Sequence, residues 1–298
     1  MRVAITGASG LIGTALVEHL RTEGHEVFRL VRRKANASDE ISWDPTAGTV
    51  DLDALAGVEG VVHLAGAGVG DHRWSDEYKR EILNSRVNGT NTIVKAMTQL
   101  DPKPRVLVSG SAIGWYGDTG DRAVNETAPA GTGFLADVVQ AWEAATLPAQ
   151  VAGIRVVRAR TGLVVAKHGG AWARMFPLFK LGVGGKLGNG KQYWSWISLR
   201  DEVAALTFCL TNEALSGAVN LTGPTPQTNA EVTKAMGTVM GRPTLFPAPA
   251  AALKIALGEF STEVLGSSRV LPDALTSAGF HWQDPTIDDA IRTAWQSK

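Results

Sequence analysis

Cysteine is almost missing from this chain. Cys209 is the only one in 298 residues, so no intramolecular disulfide, CxxC pair or cysteine-rich zinc site can form. A reducing, cytoplasmic setting is the expectation. Charge of one sign is missing too: 29 Lys and Arg stand against 29 Asp and Glu, so no global field draws the chain to nucleic acid or an anionic membrane. Neither partner is expected. Long apolar runs are absent, the nearest approach being the glycine-broken stretch 60–70, which excludes a membrane-spanning helix. The opening MRVAITGASGLIG lacks the basic, apolar and small-residue order of a secretory signal, so the chain is read as folded from Met1. His19, His25, His63, His72, His168 and His281 show no metal-ligand spacing, and there is no GxSxG elbow. No metal is expected, and hydrolase chemistry has no support. Glycine, by contrast, is plentiful: 33 residues, about 11% against a usual ~7%. Tight turns and close backbone approaches follow.

At roughly 100–200 residues per domain, the length allows one large domain or one and a half. Residues 2–6 form a short apolar run, and apolar residues then recur at 11, 12, 15, 16 and 20, the helical period. Further strand-like runs lie at 26–31, 60–65, 105–109 and 154–158, with helical stretches at 76–99 and 134–147. Strands alternating with helices predict an α/β fold, a Rossmann-type doubly wound parallel sheet with its binding crevice at the strands' carboxyl ends. Beyond residue 167 the pattern changes to a glycine- and aromatic-rich excursion and then mostly helix. The expected organisation is a nucleotide-binding domain over 1–165, with 196–223 returning to it, and a smaller, mainly helical C-terminal substrate lobe from 166–195 and 224–298.

The strongest local signal is Thr6-Gly7-Ala8-Ser9-Gly10-Leu11-Ile12-Gly13, a GxxGxxG directly after the first strand and opening a helix. Gly7 permits the tight turn, Gly10 lets the backbone approach a pyrophosphate, and Gly13 lets the helix pack on the sheet, while the free N–H groups of the helix start face the anion. A dinucleotide is the natural ligand, with Gly7, Ser9, Gly10, Leu11, Ile12 and Gly13 in its cradle. At the end of the second strand, where an acid would select NAD, stand Arg32 and Arg33. Guanidinium groups match a 2′-phosphate, which favours NADP(H); the alternative is two solvated arginines in a loop.

Taken with HLAG at 63–66, SRVNGT at 85–90, SGSAIGWYG at 109–117, WEAA at 142–145 and GNGKQYWSWISLRD, the TGASGLIG motif resembles the extended short-chain dehydrogenase/reductase superfamily, of the nucleotide-sugar epimerase and dehydratase type. Within it, the chain is similar to the "epimerase family protein" branch, sometimes labelled nucleoside-diphosphate-sugar epimerase of the SulA family. The resemblance covers nearly the whole chain. It implies an NADP(H)-binding Rossmann fold, with Leu64, Ala65 and Gly66 on the adenosine side and Glu81 and Arg86 at cofactor-contacting positions; a surface charge pair is the other reading of those two. It also implies a small-molecule substrate, nucleotide-linked in many relatives, and pairing as a homodimer.

In that superfamily a Tyr, lowered in pKa by a Lys four residues on, moves the hydroxyl proton while a Ser positions the oxygen. Ser111 matches the serine, although Ser109 and Ser111 also suit a turn cap or a contact to the nicotinamide carboxamide. The tyrosine and lysine are replaced by Phe134 and Val138, neither of which moves a proton. Tyr116 is the first substitute, with Glu126 and Asp137 behind it; an aromatic packed beside the crevice is the competing reading of Tyr116. Arg160, Thr161, Gly162 and Leu163 end a strand and are expected to place backbone donors by the nicotinamide. Tyr193, Trp194 and Trp196, with Lys186 and Lys191, either grip a planar or anionic substrate or belong to the core. The expectation is thus an NADP(H)-dependent oxidoreductase or epimerase-like enzyme acting on a carbonyl or alcohol, with Ser111 and Tyr116 in its site. The alternative is a non-catalytic NADP(H)-binding sensor.

Overall fold

A computed structural model describes residues 1–297. Among the described residues twelve strands form: β1 (Arg2–Thr6), β2 (Glu26–Val31), β3 (Glu40–Asp44), β4 (Thr49–Val50), β5 (Gly60–His63), β6 (Val106–Ala112), β7 (Arg155–Thr161), β8 (Leu163–Val165), β9 (Tyr193–Trp194), β10 (Trp196–Ser198), β11 (Gly217–Leu221) and β12 (Gln227–Thr228). Eight of them make one sheet in the order β11-β7-β6-β5-β1-β2-β3-β4, parallel except for the final β3–β4 pair. Chain order reverses between β1 and β5, and such a reversal opens a crevice at the strands' carboxyl ends.

Alternation along each strand explains the two layers. Val3 and Ile5 of β1 point to one face and Ala4 to the other, as the two-residue period of a strand requires. The first face is covered by α1 (Leu11–Thr22), joined by Leu206 and Leu210 from a later helix, which we number α7 (Leu199–Thr211) after α2 (Leu52–Leu55), α3 (Asp76–Gln99), α4 (Phe134–Ala144), α5 (Leu147–Val151) and α6 (Trp172–Lys180). The opposite face buries Phe28, Val61, Leu107 and Val156 under Ile93 and Met97 of α3. α3 starts where the sequence says it should, because Ser75 accepts a hydrogen bond from the Tyr78 N–H and Asp76 and Glu77 oppose the helix dipole.

The remaining helices are α8 (Asn229–Met240), α9 (Ala250–Leu257), α10 (Ser261–Leu265), α11 (Asp273–Ser277) and α12 (Ile287–Gln296). Trp172, Phe176 and Phe179 of α6, Val232 and Met236 of α8, and Ile287 and Ile291 of α12 close a second core around Trp194 and Trp196. Those two tryptophans are therefore core packing residues. Leu275 of α11 and Phe280 join the core of the main sheet, so the tail after 224 serves both cores instead of the small lobe alone. Two strands also run further than their apolar runs: β6 continues to Ala112 and β7 to Thr161, because they pair residue by residue from Val106↔Arg155 to Ala112↔Thr161. Pairing overrides the weak strand propensity of Ser-Gly-Ser. Residues 40–50, unassigned in the sequence, form the β3–β4 hairpin.

Candidate functional site

The turn between β1 and α1 is built by its glycines. Gly7 has φ +69°, and a Cβ there would stand 2.9 Å from the Leu64 carbonyl carbon. A Cβ on Gly13 would overlap the Gly7 carbonyl oxygen, so only glycine lets α1 sit this close. Gly10 caps α1 with no side-chain bond, donates its N–H to Gly7 O at 2.9 Å, and would bring a Cβ near nothing but that oxygen. Its outer face and exposed Ser9 are open to the crevice, with Leu11 and Ile12 half-buried behind them. Such a cradle fits a pyrophosphate. Gly13→Ala should destabilise the fold by about 1–3 kcal/mol, since backbone and not a flexible side chain would have to move; a denaturant midpoint unchanged from the parent would contradict this packing.

Across the switch point, Thr6 holds the second wall. Its buried hydroxyl accepts the N–H groups of Leu64 (3.1 Å) and Ala65 (3.2 Å), so its own proton goes to His63 Nδ1 at 2.7 Å. His63 consequently carries its proton on Nε2, which finds no partner among the described residues, and burial pulls its pKa down to about 4. It is a neutral spacer. No cluster of three metal-ligating side chains occurs among the described residues, and no helix there is long and apolar enough to cross a membrane.

The two arginines after β2 have different fates. Arg33 forms a bidentate pair with the nearly buried Glu40, at 2.8 and 2.6 Å, and Arg29 lies against the same carboxylate. The Arg33 hydrogen bond, then the Asn36 N–H, hold Glu40 below the usual carboxylate range. Arg32 is exposed and, among the described residues, has no ion-pair partner. Both line an open cavity of about 420 Å³ between this loop and the β3–β4 hairpin.

Arg86 and Glu81 do not meet: five residues apart, they point about 140° from each other around α3. Glu81 is exposed. Arg86 is tucked under the 64–67 loop, donating Nη1 to the Ala67 (2.9 Å) and Ile82 (3.0 Å) carbonyls, 5.1 Å from the Trp142 ring centroid. Burial pulls it down to about 10, so it remains charged at neutral pH. With no carboxylate partner among the described residues, it places positive charge beside Gly66.

Ser111 and Tyr116 do come together, in a buried chain of polar contacts. Ser111 Oγ donates to Glu143 Oε1 at 2.6 Å; Arg160 grips both Glu143 oxygens at 2.8 and 2.9 Å and donates to the Tyr116 oxygen at 2.9 Å; that phenol donates to Asn220 Oδ1 at 2.8 Å. Arg160 also stacks 4.0 Å from the Trp115 ring centroid. Ser111 is 4%, Tyr116 3% and Arg160 3% exposed, which decides how the hydroxyls are used: neither faces open crevice. Burial raises the Tyr116 pKa, against the opposing pull of Arg160, so the phenol is a poorer proton donor than a free one. Glu126 is occupied by the Asn220 and Ala274 N–H groups, and Asp137 lies exposed on α4.

Ser109 is buried, its hydroxyl turned to the Gly110 carbonyl. Thr161 donates to the fully buried Glu202, and Gly162 packs under the Ser195 carbonyl and Thr222, with Leu163 N–H bonded to Ser195 O. Tyr193 lies under Arg269. Phe134, by contrast, opens α4 onto a cavity of about 320 Å³, shared with Trp74, Gly114, Gly117 and Glu263. Glu143 and the side-chain role of Arg160, whose backbone alone the sequence placed at this strand end, are what sequence reasoning missed. A carboxylate at 143, in helical register with buried Ala136 and Val139, is the signal that could have exposed the first.

Fold and crevice define a doubly wound dinucleotide-binding protein of the epimerase and dehydratase type. The sequence profile of the NAD dependent epimerase/dehydratase family matches residues 3–222, and the chain belongs to that family. Residues 248–294 match a second profile, described as a domain of unknown function, DUF1731. The chain is 47% identical to the epimerase family protein ML0860 of Mycobacterium leprae, over 98% of this chain and 95% of that one. The crystal structure of human epimerase family protein SDR39U1 (isoform 2) with NADPH superposes with a TM-score of 0.91 at 29% identity, covering 100% of both chains. A nucleoside-diphosphate sugar epimerase from Corynebacterium glutamicum matches with a TM-score of 0.81 at 34% identity, over 98% of this chain and 57% of that one.

Proposed function

We propose that the crevice binds NADP(H) and serves hydride transfer on a small carbonyl compound or alcohol. The observation that carries the cofactor choice is Arg32: an exposed guanidinium at the end of β2, beside a cavity and with no ion-pair partner among the described residues, while Arg33 is already neutralised by Glu40. The solved relative that contains NADPH supports the same choice. In this reading the pyrophosphate lies on the Gly7–Gly13 turn, Leu64, Ala65 and Gly66 form the adjoining wall, Arg86 adds positive charge behind it, and Thr161–Leu163 border the nicotinamide end. The bound nicotinamide supplies or accepts the hydride. Ser111 and Tyr116 hold the end of β6 and the turn after it in place through Glu143 and Arg160, and the proton that accompanies the hydride is exchanged with solvent.

Arg32→Asp should weaken NADPH binding by about tenfold or more while changing NADH binding little, because a lost charge-assisted phosphate contact is worth about 1.5–3 kcal/mol. Titration calorimetry with both reduced cofactors checks it, and equal losses would refute the phosphate assignment. Phe134, Val138 and the fully bonded hydroxyls of Ser111 and Tyr116 favour a second reading, a cofactor-binding sensor without catalysis. Incubation with NADPH and a panel of aldehydes, ketones and nucleotide sugars separates the two: tight cofactor binding without turnover on any of them supports the sensor.

A further inference from the structure

The cavity at the start of α4 has a lining that says what it accepts. Its volume, about 320 Å³, lies at the small end of the ~300–1,000 Å³ typical of ligand sites. One wall is aromatic: Trp74 and Phe134 meet edge to face with centroids 4.9 Å apart. Gly114, Gly117 and Gly133 bring bare backbone to another wall. The charged side chains of the lining are Asp118, Glu259 and Glu263, and no Lys or Arg is among them. A pyrophosphate placed here would meet three carboxylates, of which only Glu259 is paired with a cation, Lys79 at the cavity's edge. Every nucleoside-diphosphate-linked substrate carries that pyrophosphate, and like charges brought together disfavour its entry.

The chain itself shows what fits. At the cavity's edge the ammonium of Lys79, from α3, pairs with Glu259 and lies 5.3 Å from the Phe134 ring centroid. A primary amine is thus already held by one aromatic face and one carboxylate of this lining, the arrangement that attracts alkylammonium groups. Glu263 has no ion-pair partner among the described residues; water reaches its carboxylate, yet the surrounding protein, and then Asp118, raise its pKa. Asp118 Oδ1 is committed to the Gly120 and Ser267 N–H groups. One carboxylate therefore stands uncompensated in the cavity.

We propose that this cavity is the substrate pocket and that it takes a small amine-bearing carbonyl compound or alcohol, held as its ammonium form between Glu263 and the Trp74–Phe134 wall, and rejects nucleotide sugars. The proposal rests on the NADP(H) reading only for the role of the cavity, and its test is an equilibrium measurement independent of turnover. Benzylamine, its uncharged counterpart benzyl alcohol, and UDP-glucose are titrated into the full-length protein by calorimetry at pH 7.5, with and without saturating NADPH. Benzylamine should bind at least about tenfold more tightly than benzyl alcohol. Glu263→Gln should bring that ratio close to one while NADPH affinity is unchanged. UDP-glucose should not compete with benzylamine. Competition by UDP-glucose, an amine preference that survives Glu263→Gln, or no benzylamine binding at ~10 mM would each overturn the proposal. Failure of NADPH to bind in the same titrations would instead strike the cofactor reading and leave the amine result to stand by itself.

Discussion

Glu143→Ala should cost about 3–5 kcal/mol of unfolding free energy, because it strands the Arg160 guanidinium in a site that is 3% exposed. The partners explain the size. Arg160 offers Nε and Nη2 to the two Glu143 oxygens and Nη1 to Tyr116, and with Glu143 gone only the phenol remains, while Ser111 loses its acceptor. Removing both charges is a different experiment. In Glu143→Leu with Arg160→Met, no ion is left unpaired, and most of the lost stability should return, since a buried pair replaced by apolar groups of similar volume is often neutral. Urea or guanidinium unfolding of the parent, the single variant and the double variant reads both effects. A single variant within about 1 kcal/mol of the parent would show that the pair does not hold the ends of β6 and β7 together.

That network also marks where sequence stops being informative. The glycine turn is legible because everything that constrains Gly7, Gly10 and Gly13 lies within one strand, one turn and one helix, apart from the touch of Leu64. Helix α3 is legible for the same reason, with its cap at Ser75 and its apolar period internal to the segment. Arg160 is different. Its role depends on the parallel register that sets Ser111 opposite it, and on α4 delivering Glu143 from seventeen residues earlier, neither of which leaves a local trace. Arg32 and Arg33 read identically in sequence, and only the parallel pairing of β3 with β2, which sets Glu40 beside this loop, separates the paired arginine from the one with no ion-pair partner among the described residues. The cavity is the most distant assembly of all, joining Phe134 to Glu263 across the whole C-terminal region. The substitution of Phe134 for tyrosine was visible; the carboxylates that surround it became visible only through tertiary packing.

Glu202→Gln should make the protein more stable, by a margin that grows as pH rises from about 4.5 to about 8. Glu202 is fully buried on α7; it accepts the Thr161 hydroxyl at 2.8 Å through Oε1, and Oε2 has no partner among the described residues. Burial pushes its pKa from 4.5 up to about 8, with the Thr161 bond opposing. The folded state therefore holds a proton that the unfolded state releases above pH 4.5. The stability linked to that proton is complete below pH 4.5 and is lost as pH rises through 8. At 1.36 kcal/mol per unit the loss approaches about 4–5 kcal/mol, an upper figure reached near pH 8.5. His63 works in the opposite direction: its pKa, down to about 4 from 6.5, contributes stability above pH 6.5 that is lost, to about 3 kcal/mol, as pH falls to 4. Between pH 7 and 8.5 the His63 contribution is constant, so the window belongs to Glu202. Unfolding titrations should show parent stability declining across it and the glutamine variant nearly flat. At pH 5.5 the His63 contribution is common to both proteins, and the advantage of the variant should shrink toward 1 kcal/mol. A variant whose curve falls in parallel with the parent between pH 7 and 8.5 would assign the alkaline loss to another group and leave Glu202 ionised in the fold.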